Sequence, residues 1–408
     1  MSRDSITRLF GIPGFRVATT EPYFVEEGTK RPYAIIEIVR EKKEYQCPCG
    51  QRYERYYDGD YREVRDLPFG KWDVYLVFFQ VRVECPHCGV KTERLDWLPS
   101  YGRNTTRLEE YVARLCELAS VKAVAKFLDM DWKTVKRIDK QTLEKRLNPP
   151  NFDGLRILAI DELAIKKGHH YVTVIIDFLT KRVVWVEIGR AEKALNRFYR
   201  RLGKKRCRQI EAVAMDMWPA FMKATKKHCP RARLVFDKFH ILSHMAQVID
   251  QVRRREFKRA SKKTREVIKG SRYLLLRNRA KVRGKKRIRL SELLALNKPI
   301  NAVHVSKEDL KPLWDYRSPR WAEAYFREWY RRAIYSKIEP LKKFARMLKK
   351  HWEGIAAHCF YPIHTSLLEG INNKAKVIKR IAYGYHDIDY FALKLRAAFP
   401  GIPIPSPT

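Results

Sequence analysis

The chain has 408 residues, 45% of them hydrophobic with nine Trp, and 85 Lys and Arg against 46 Asp and Glu, a formal charge of +39. Its length bounds it to roughly two to four domains, and the apolar content excludes a disordered basic tail. The charge calls for a polyanionic partner, and nucleic acid is the obvious one. No apolar run reaches the ~18 residues of a membrane span, and MSRDSITRLFGIPG lacks the apolar core of a signal peptide, so the expectation is no membrane and a cytoplasmic location, where DNA is.

Residues 1–98 read as an N-terminal zinc-binding module. Cys47 and Cys49 stand in C-P-C-G, and Cys85 and Cys88 in C-P-H-C-G. Each pair lies on a Pro/Gly knuckle that can aim two thiolates at one tetrahedral zinc. The 35 intervening residues carry REVRDLPFG and the alternating KWDVYLVFFQVRVEC, the pattern of a β-rich, zinc-ribbon-like module with an elaborated hairpin. The first knuckle is one residue tighter than usual, His87 is the alternative ligand, and four reduced thiols is the plain alternative. Cys116, Cys207, Cys229 and Cys359 have no such setting. They are expected as buried small hydrophobes, free of disulfides.

Residues 99–150 read as a helix-turn-helix DNA-binding segment and linker. TTRLEEYVARLCELAS places Leu108, Tyr111, Val112, Leu115 and Leu118 on one helical face. A short helix follows, then a break at Asp129 to Asp131, then a helix from Trp132 bearing Lys133, Lys136, Arg137 and Lys140. Such a second helix enters the major groove. A plain helical hairpin is the alternative, which the zinc module beside it and the basic face weigh against. Pro149 and Pro150 mark the linker.

Strands alternating with helices begin at residue 151. LRILAID, HYVTVIID and RVVWVEI predict three antiparallel strands. AEKALNRFYRRLG predicts a helix, IEAVAMD a fourth strand, MWPAFMKATKKHC a helix and ARLVFD a fifth strand. This is the pattern of an α/β ribonuclease-H-like catalytic domain whose first part spans 151–241, with its first and fourth strands side by side. Asp161 and Asp216 then end close together at strand tips, although 55 positions apart (216 − 161). Glu369, in a later helical segment, is the third candidate. Carboxylates gathered from separate elements suit magnesium ions, which take hard oxygen ligands and leave room for water and phosphate. Glu162 points to the opposite face by strand alternation, and Asp177 reads as a turn residue. Asp237 and His240 are candidates for pocket support, with N-capping the competing role for Asp237.

Residues 242–361 read as a basic helical insertion. Eighteen Lys and Arg fall between Arg253 and Arg289, beginning with Arg253, Arg254 and Arg255, against only Glu256 and Glu266. Phosphate neutralisation explains this better than a solvated face does. The aromatic stripe in WAEAYFREWYRRAIYSKIEPLKKFARMLKKHW reads as core. Residues 362–398 return to the catalytic part with Glu369. Asn372 and Asn373 are candidates for pocket support, and Lys374, Lys376, Lys379 and Arg380 for DNA contact. Tyr383 and Tyr385 read as packing residues rather than nucleophiles, and 399–408 as a tail.

AIDE, AVAMDMW, VFDKFH and above all LLEGINNKAKVIKRIAYGYHDIDYF resemble bacterial insertion-sequence transposases of the ISL-three family, over nearly the whole chain including CPCG…CPHCG. The resemblance implies a DDE catalytic domain with Asp161, Asp216 and Glu369 as the triad. It also implies two magnesium (or manganese) ions beside one structural zinc. The implied partners are the terminal inverted repeats and target DNA, and the implied assembly is a dimer or larger synaptic complex at the nucleoid. The implied reaction is hydrolysis of a phosphodiester at the element's end, then attack of the freed 3′-hydroxyl on target DNA. The short C-x-C knuckle departs from the usual zinc spacing. The rival readings are a nuclease or resolvase of the same fold that joins no strands, and a DNA-binding regulator without catalysis.

Overall fold

A single long strand, Trp72–Cys85, organises the N-terminal unit of the computed structural model. The structure describes residues 3–19, 21–26, 31–166, 170–363 and 366–402, so positions 403–408 of the expected tail lie outside it. It divides into two compact units, 1–146 and 147–408. In the first, Trp72–Cys85 pairs antiparallel with Asp58–Phe69 as the expected hairpin, and antiparallel with Gly89–Thr92. The edge that carries Gly89–Thr92 also pairs, in parallel, with Tyr33–Arg40, which in turn pairs with Phe15–Val17 and Tyr23–Val25. These three early strands enlarge the ribbon-like hairpin into a six-stranded sheet that the spacing of the cysteines does not foretell.

Alternation along the central strand separates two small cores. Val74, Leu76 and Phe78 pack with Phe15, Ile36, Ile38 and Trp97. Val81, Val83 and Cys85 pack with Tyr45 and Cys47 around the cysteine knuckles. The helices Thr106–Leu118, Val121–Leu128 and Trp132–Leu147 follow. Thr105 and Ser120 cap the first two by accepting from Leu108 N and Ala123 N. Asp129, in left-handed conformation (φ 47°), ends the second and makes the turn. Leu108, Val112 and Cys116 are buried as expected, but Leu118, the last residue of the helix, is 83% exposed. Buried Asp66 accepts from Thr105 Oγ1 and Arg107 Nε, both at 2.7 Å, so its charge is compensated where the sheet meets the first helix.

The second unit holds a five-stranded sheet. In chain order its strands are Ile157–Lys166, His170–Asp177, Arg182–Ile188, Ala212–Met215 and Arg233–Phe236, and in space they run third, second, first, fourth, fifth. The first three are antiparallel, and the first, fourth and fifth are parallel. The helices Glu192–Leu202 and Pro219–His228 bury Leu195, Phe198, Tyr199 and Phe221 against the sheet. Each such fully buried side chain contributes about 1.5–3 kcal/mol. Asp161 is not at a strand tip, because antiparallel pairing with His170–Asp177 carries the first strand on to Lys166.

The basic segment is helical and shares this core. A 22-residue helix, Lys238–Arg259, runs without a break out of the DKFH motif, and Asp237 is its N-cap. The aromatic stripe buries Phe326, Trp329 and Phe344 in the same cluster as sheet residues Leu158 and Val213. Helix Trp352–Ala356 approaches the fifth strand so closely that a Cβ on Gly354 would lie 2.4 Å from the Phe236 ring, so only glycine fits there. Helices Ser366–Ile381 and Ile388–Ala398 complete the unit. Cys116, Cys207, Cys229 and Cys359 are buried and form no disulfide.

Candidate active site, metal centre and DNA-binding elements

The sheet register explains why carboxylates distant in sequence meet. Ala159 pairs with Ala214, and Ala214 with Val235. Two residues further along the three parallel strands stand Asp161, Asp216 and Asp237, one row at the end of the parallel pairing. Neighbouring strands are about 4.8 Å apart. Two carboxylates at ~5 Å repel by about 3 kcal/mol at an effective dielectric constant near 20. Glu162, half-buried, also feels the charges of Asp161 and Asp216. Burial, opposed by the Asn372 hydrogen bond and aided by the Asp216 charge, raises the Asp161 pKa above the ordinary carboxylate range. Burial pushes Asp237 up to about 6.

The row is held by few partners. Asp161 accepts from Glu162 N at 2.7 Å and from Asn372 Nδ2 at 2.6 Å. Asp216 accepts from Met217 N at 2.6 Å. His240 lies between two acids, with Nδ1 3.5 Å from Asp216 and Nε2 3.7 Å from Asp237. Asp237 accepts from Phe239 N at 2.6 Å, so it both caps a helix and belongs to the row. Asp177 is a turn residue, accepting from Leu179 N and Thr180 Oγ1. Glu369 is exposed, one turn before Asn372 on the helix Ser366–Ile381. That spacing puts their Cβ atoms about 5–6 Å apart on one helical face. Asp161, Asp216 and Glu369 do not form a closed cluster: among the described residues, the one group of three or more His, Cys, Asp or Glu whose ligand atoms all lie within 4.8 Å of one another is the cysteine set. Asn373 is exposed.

Arg190 escaped the sequence reading. Its guanidinium lies 4.6 Å from the Tyr171 ring centroid and 5.2 Å from that of Trp218, and 3.7 Å from the Glu162 carboxylate. The signal was present in Trp218, an apolar residue two positions after Asp216 with no core position to fill.

The cysteine knuckles converge. Cys49 Sγ and Cys85 Sγ are 3.7 Å apart. The edge of a tetrahedron of sulfurs at 2.3 Å from a zinc ion is about 3.8 Å, so the donor set fits a structural zinc. Neighbouring Tyr53 draws the Cys85 thiol down to about 6 against the effect of burial, while burial pushes Cys47 up and Cys49 pushes Cys88 up to about 12.

On the helix Trp132–Leu147, Lys133 and Arg137 are exposed, while Lys136 and Lys140 are half-buried. Arg137 donates to Gln141 at 2.8 Å. In the basic segment, Arg253, Arg254 and Arg272 converge on buried Asp250, at 2.7, 2.8 and 3.8 Å, while Arg255 is exposed. Although burial raises Asp250, the Arg253 hydrogen bond and the three positive charges carry it below the usual range. Lys374 donates to Ala398 O and Lys379 to Ala164 O, each at 3.0 Å, whereas Lys376 and Arg380 are exposed. Tyr385 is packed against Phe391, as expected. Tyr383 is not a packing residue: it is 95% exposed, because the chain turns outward at the end of its helix. No helix of the described residues is long and apolar enough to cross a membrane.

Comparison with known proteins gives a consistent picture. The ISL3-type model described as a transposase matches residues 158–395, and the helix-turn-helix domain of transposase family ISL3 matches residues 93–142. The chain is 41% identical over 357 residues to the transposase for insertion sequence element IS1001 of Bordetella parapertussis, covering 86% of this chain and 88% of the relative. It is 26% identical over 392 residues to the transposase for insertion sequence element IS1557 of Mycobacterium tuberculosis, covering 89% and 88%.

Proposed function

Since the chain belongs to the ISL3 family of insertion-sequence transposases, we propose that Asp161, Asp216 and Glu369 are its DDE set on a ribonuclease-H-like sheet. With them it cuts DNA at the ends of its own element and joins those ends to target DNA. The observation that carries the reading is the row of Asp161, Asp216 and Asp237 at the parallel strand ends, with Asn372, from the helix that bears Glu369, hydrogen-bonded to Asp161. Open α/β sheets place ligands at the carboxyl ends of their parallel strands. The concentration of uncompensated carboxylates, with Asp161 and Asp237 already raised, fits a site made for divalent cations. Magnesium or manganese bound there supplies charge neutralisation at the phosphodiester and a more acidic attacking hydroxyl.

The chain's own groups do the rest. Asn372 fixes the rotamer of Asp161, and His240 holds Asp216 and Asp237 in one orientation. The Glu162–Arg190 pair keeps a cation at the rim without neutralising the row. The cysteine set holds one zinc and braces the first unit. The helix Trp132–Leu147 reads the terminal inverted repeats, and the basic helices grip DNA without regard to sequence. Two ends must be cut and joined together, so the working form is a dimer or larger assembly on double-stranded DNA at the bacterial nucleoid.

Asp161→Asn, Asp216→Asn and Glu369→Gln each remove a charge and little surface. Each variant should abolish nicking and strand transfer on element-end duplexes while gel retardation stays near wild type. A variant that still cuts at near wild-type rate removes that residue from the set. Wild-type cleavage of element-end duplexes with no joining of cut or pre-cut ends to target plasmid would favour a nuclease or resolvase.

A further inference from the structure

The signature segment that follows Glu369 closes a second feature, distinct from the acidic row. A solvent-open cavity of about 480 Å³ lies between the end of the first strand and the end of the helix Ser366–Ile381, with Lys166, Lys379, Arg380, Tyr383 and His386 in its wall. That volume is in the range of a small-molecule subsite. The wall is cationic and includes no acid among the described residues. Lys166 Nζ is 3.4 Å from His386 Nδ1, and Lys379 is anchored on Ala164 O. Arg380 is exposed and makes no ion pair among the described residues.

Tyr383 is the informative residue. Gly384 N donates to Lys379 O and Tyr383 N to Arg380 O, at 2.9 and 3.0 Å, which is the paired bonding of a Schellman helix end. In that motif the position of Tyr383 has positive φ and is usually glycine. Here an aromatic residue holds φ 54° with 95% of its surface exposed. An exposed ring on a strained backbone does nothing for the fold, and such strain is retained where a ligand uses it.

We propose that this cavity binds one unpaired nucleotide of a DNA strand, its base stacked on Tyr383 and its phosphate met by Arg380 and Lys166. A ring can take a base face only where the base has left its duplex partner, and aromatic stacking beside basic side chains is how single strands are held. The cavity lies four to five residues beyond Asp161 on the same strand, about 13–17 Å at ~3.3 Å per residue. That is roughly four to five base steps at 3.4 Å each. The inference rests on the reading that this chain acts on DNA ends and adds a strand-separated position near the cut.

Full-length protein purified without chelator and kept free of added magnesium or manganese, so that it cannot cut, is irradiated with a short oligothymidylate carrying one 5-iodouracil, and the cross-linked peptide is mapped. The cross-link is expected on Tyr383. Tyr383→Phe should bind the oligonucleotide as wild type does, whereas Tyr383→Gly should bind it about tenfold or more weakly. Because glycine relieves the backbone, the same variant should melt roughly 2–4 °C higher, opposite changes that a merely structural role cannot produce. A cross-link elsewhere, unchanged oligonucleotide affinity in Tyr383→Gly, or a joint loss of affinity and stability overturns the proposal. Retardation of an element-end duplex, run in parallel, separates the two ideas. Its absence in wild-type protein overturns the functional reading, and its presence without a Tyr383 cross-link overturns the pocket alone.

Discussion

Replacing His304 by leucine should change the acid response of the second unit in a calculable way. His304 lies on the helix Lys298–Leu310, is 0% exposed, and neither ring nitrogen has a protein partner. Lys307, almost fully buried one turn on, is held by the Leu275 and Arg277 carbonyls at 2.8 and 2.7 Å and by Glu308. Burial first, and the Lys307 charge second, press the His304 pKa from 6.5 down to about 4. A depressed histidine refuses in the folded state a proton that the unfolded chain accepts. It therefore has no effect above the unfolded pKa, destabilises increasingly as pH falls from 6.5 towards 4, and adds nothing more below. With water fully excluded the loss would be about 3 kcal/mol. Screening by nearby solvent reduces it to about 2 kcal/mol. Calorimetric unfolding of wild-type protein and His304→Leu at about pH 7 and pH 4 should show the variant losing less stability on acidification by that amount. At neutral pH the variant should be about 1 kcal/mol more stable, having shed two unsatisfied nitrogens. Asp237, pushed up to about 6, titrates in the same window but is common to both proteins, as are the other carboxylates, so they cancel in the difference. Identical acid slopes for the two proteins would refute the reasoning.

Elemental analysis of protein purified without chelator should find one zinc per chain, and a strong chelator or Cys85→Ser should loosen the small core of Tyr45, Val81 and Val83. Near-zero zinc in folded, active protein would sink that assignment. Neutralising Arg255, Arg259, Lys262 and Lys263, which are exposed and outside the Asp250 cluster, should weaken binding to repeat and random duplexes alike. The log–log salt slope should flatten by about 0.9 for each phosphate that the variant no longer neutralises. Lys133→Gln with Arg137→Gln should instead reduce preference for the terminal repeat over random duplex in the same titrations. The opposite pattern would mean that the roles of the two segments are reversed.

Much of this architecture is legible in the residues because it is governed by short-range chemistry. β-branched runs such as IEAVAMD and LRILAID are strands in any context that buries them. Two Pro/Gly knuckles leave paired thiolates few other arrangements, and a capped helix ending at Asp129 before another at Trp132 is a local matter of backbone conformation. The row of carboxylates was legible only in part. Asp161 and Asp216 follow from their strands, whereas Asp237 joins them through two successive registers, Ala159 to Ala214 and Ala214 to Val235. Register is an interaction between strands, and periodicity within one strand carries no information about it. The same holds for Arg190 between Tyr171 and Trp218, and for the parallel pairing of Tyr33–Arg40 with Trp72–Cys85, each of which joins residues whose separate sequences predict nothing about the other. Leu118 and Tyr383 mark the remaining limit. Hydrophobic spacing says which residues an element can bury, but only the packed chain decides whether anything arrives to cover them, and these two stay 83% and 95% exposed.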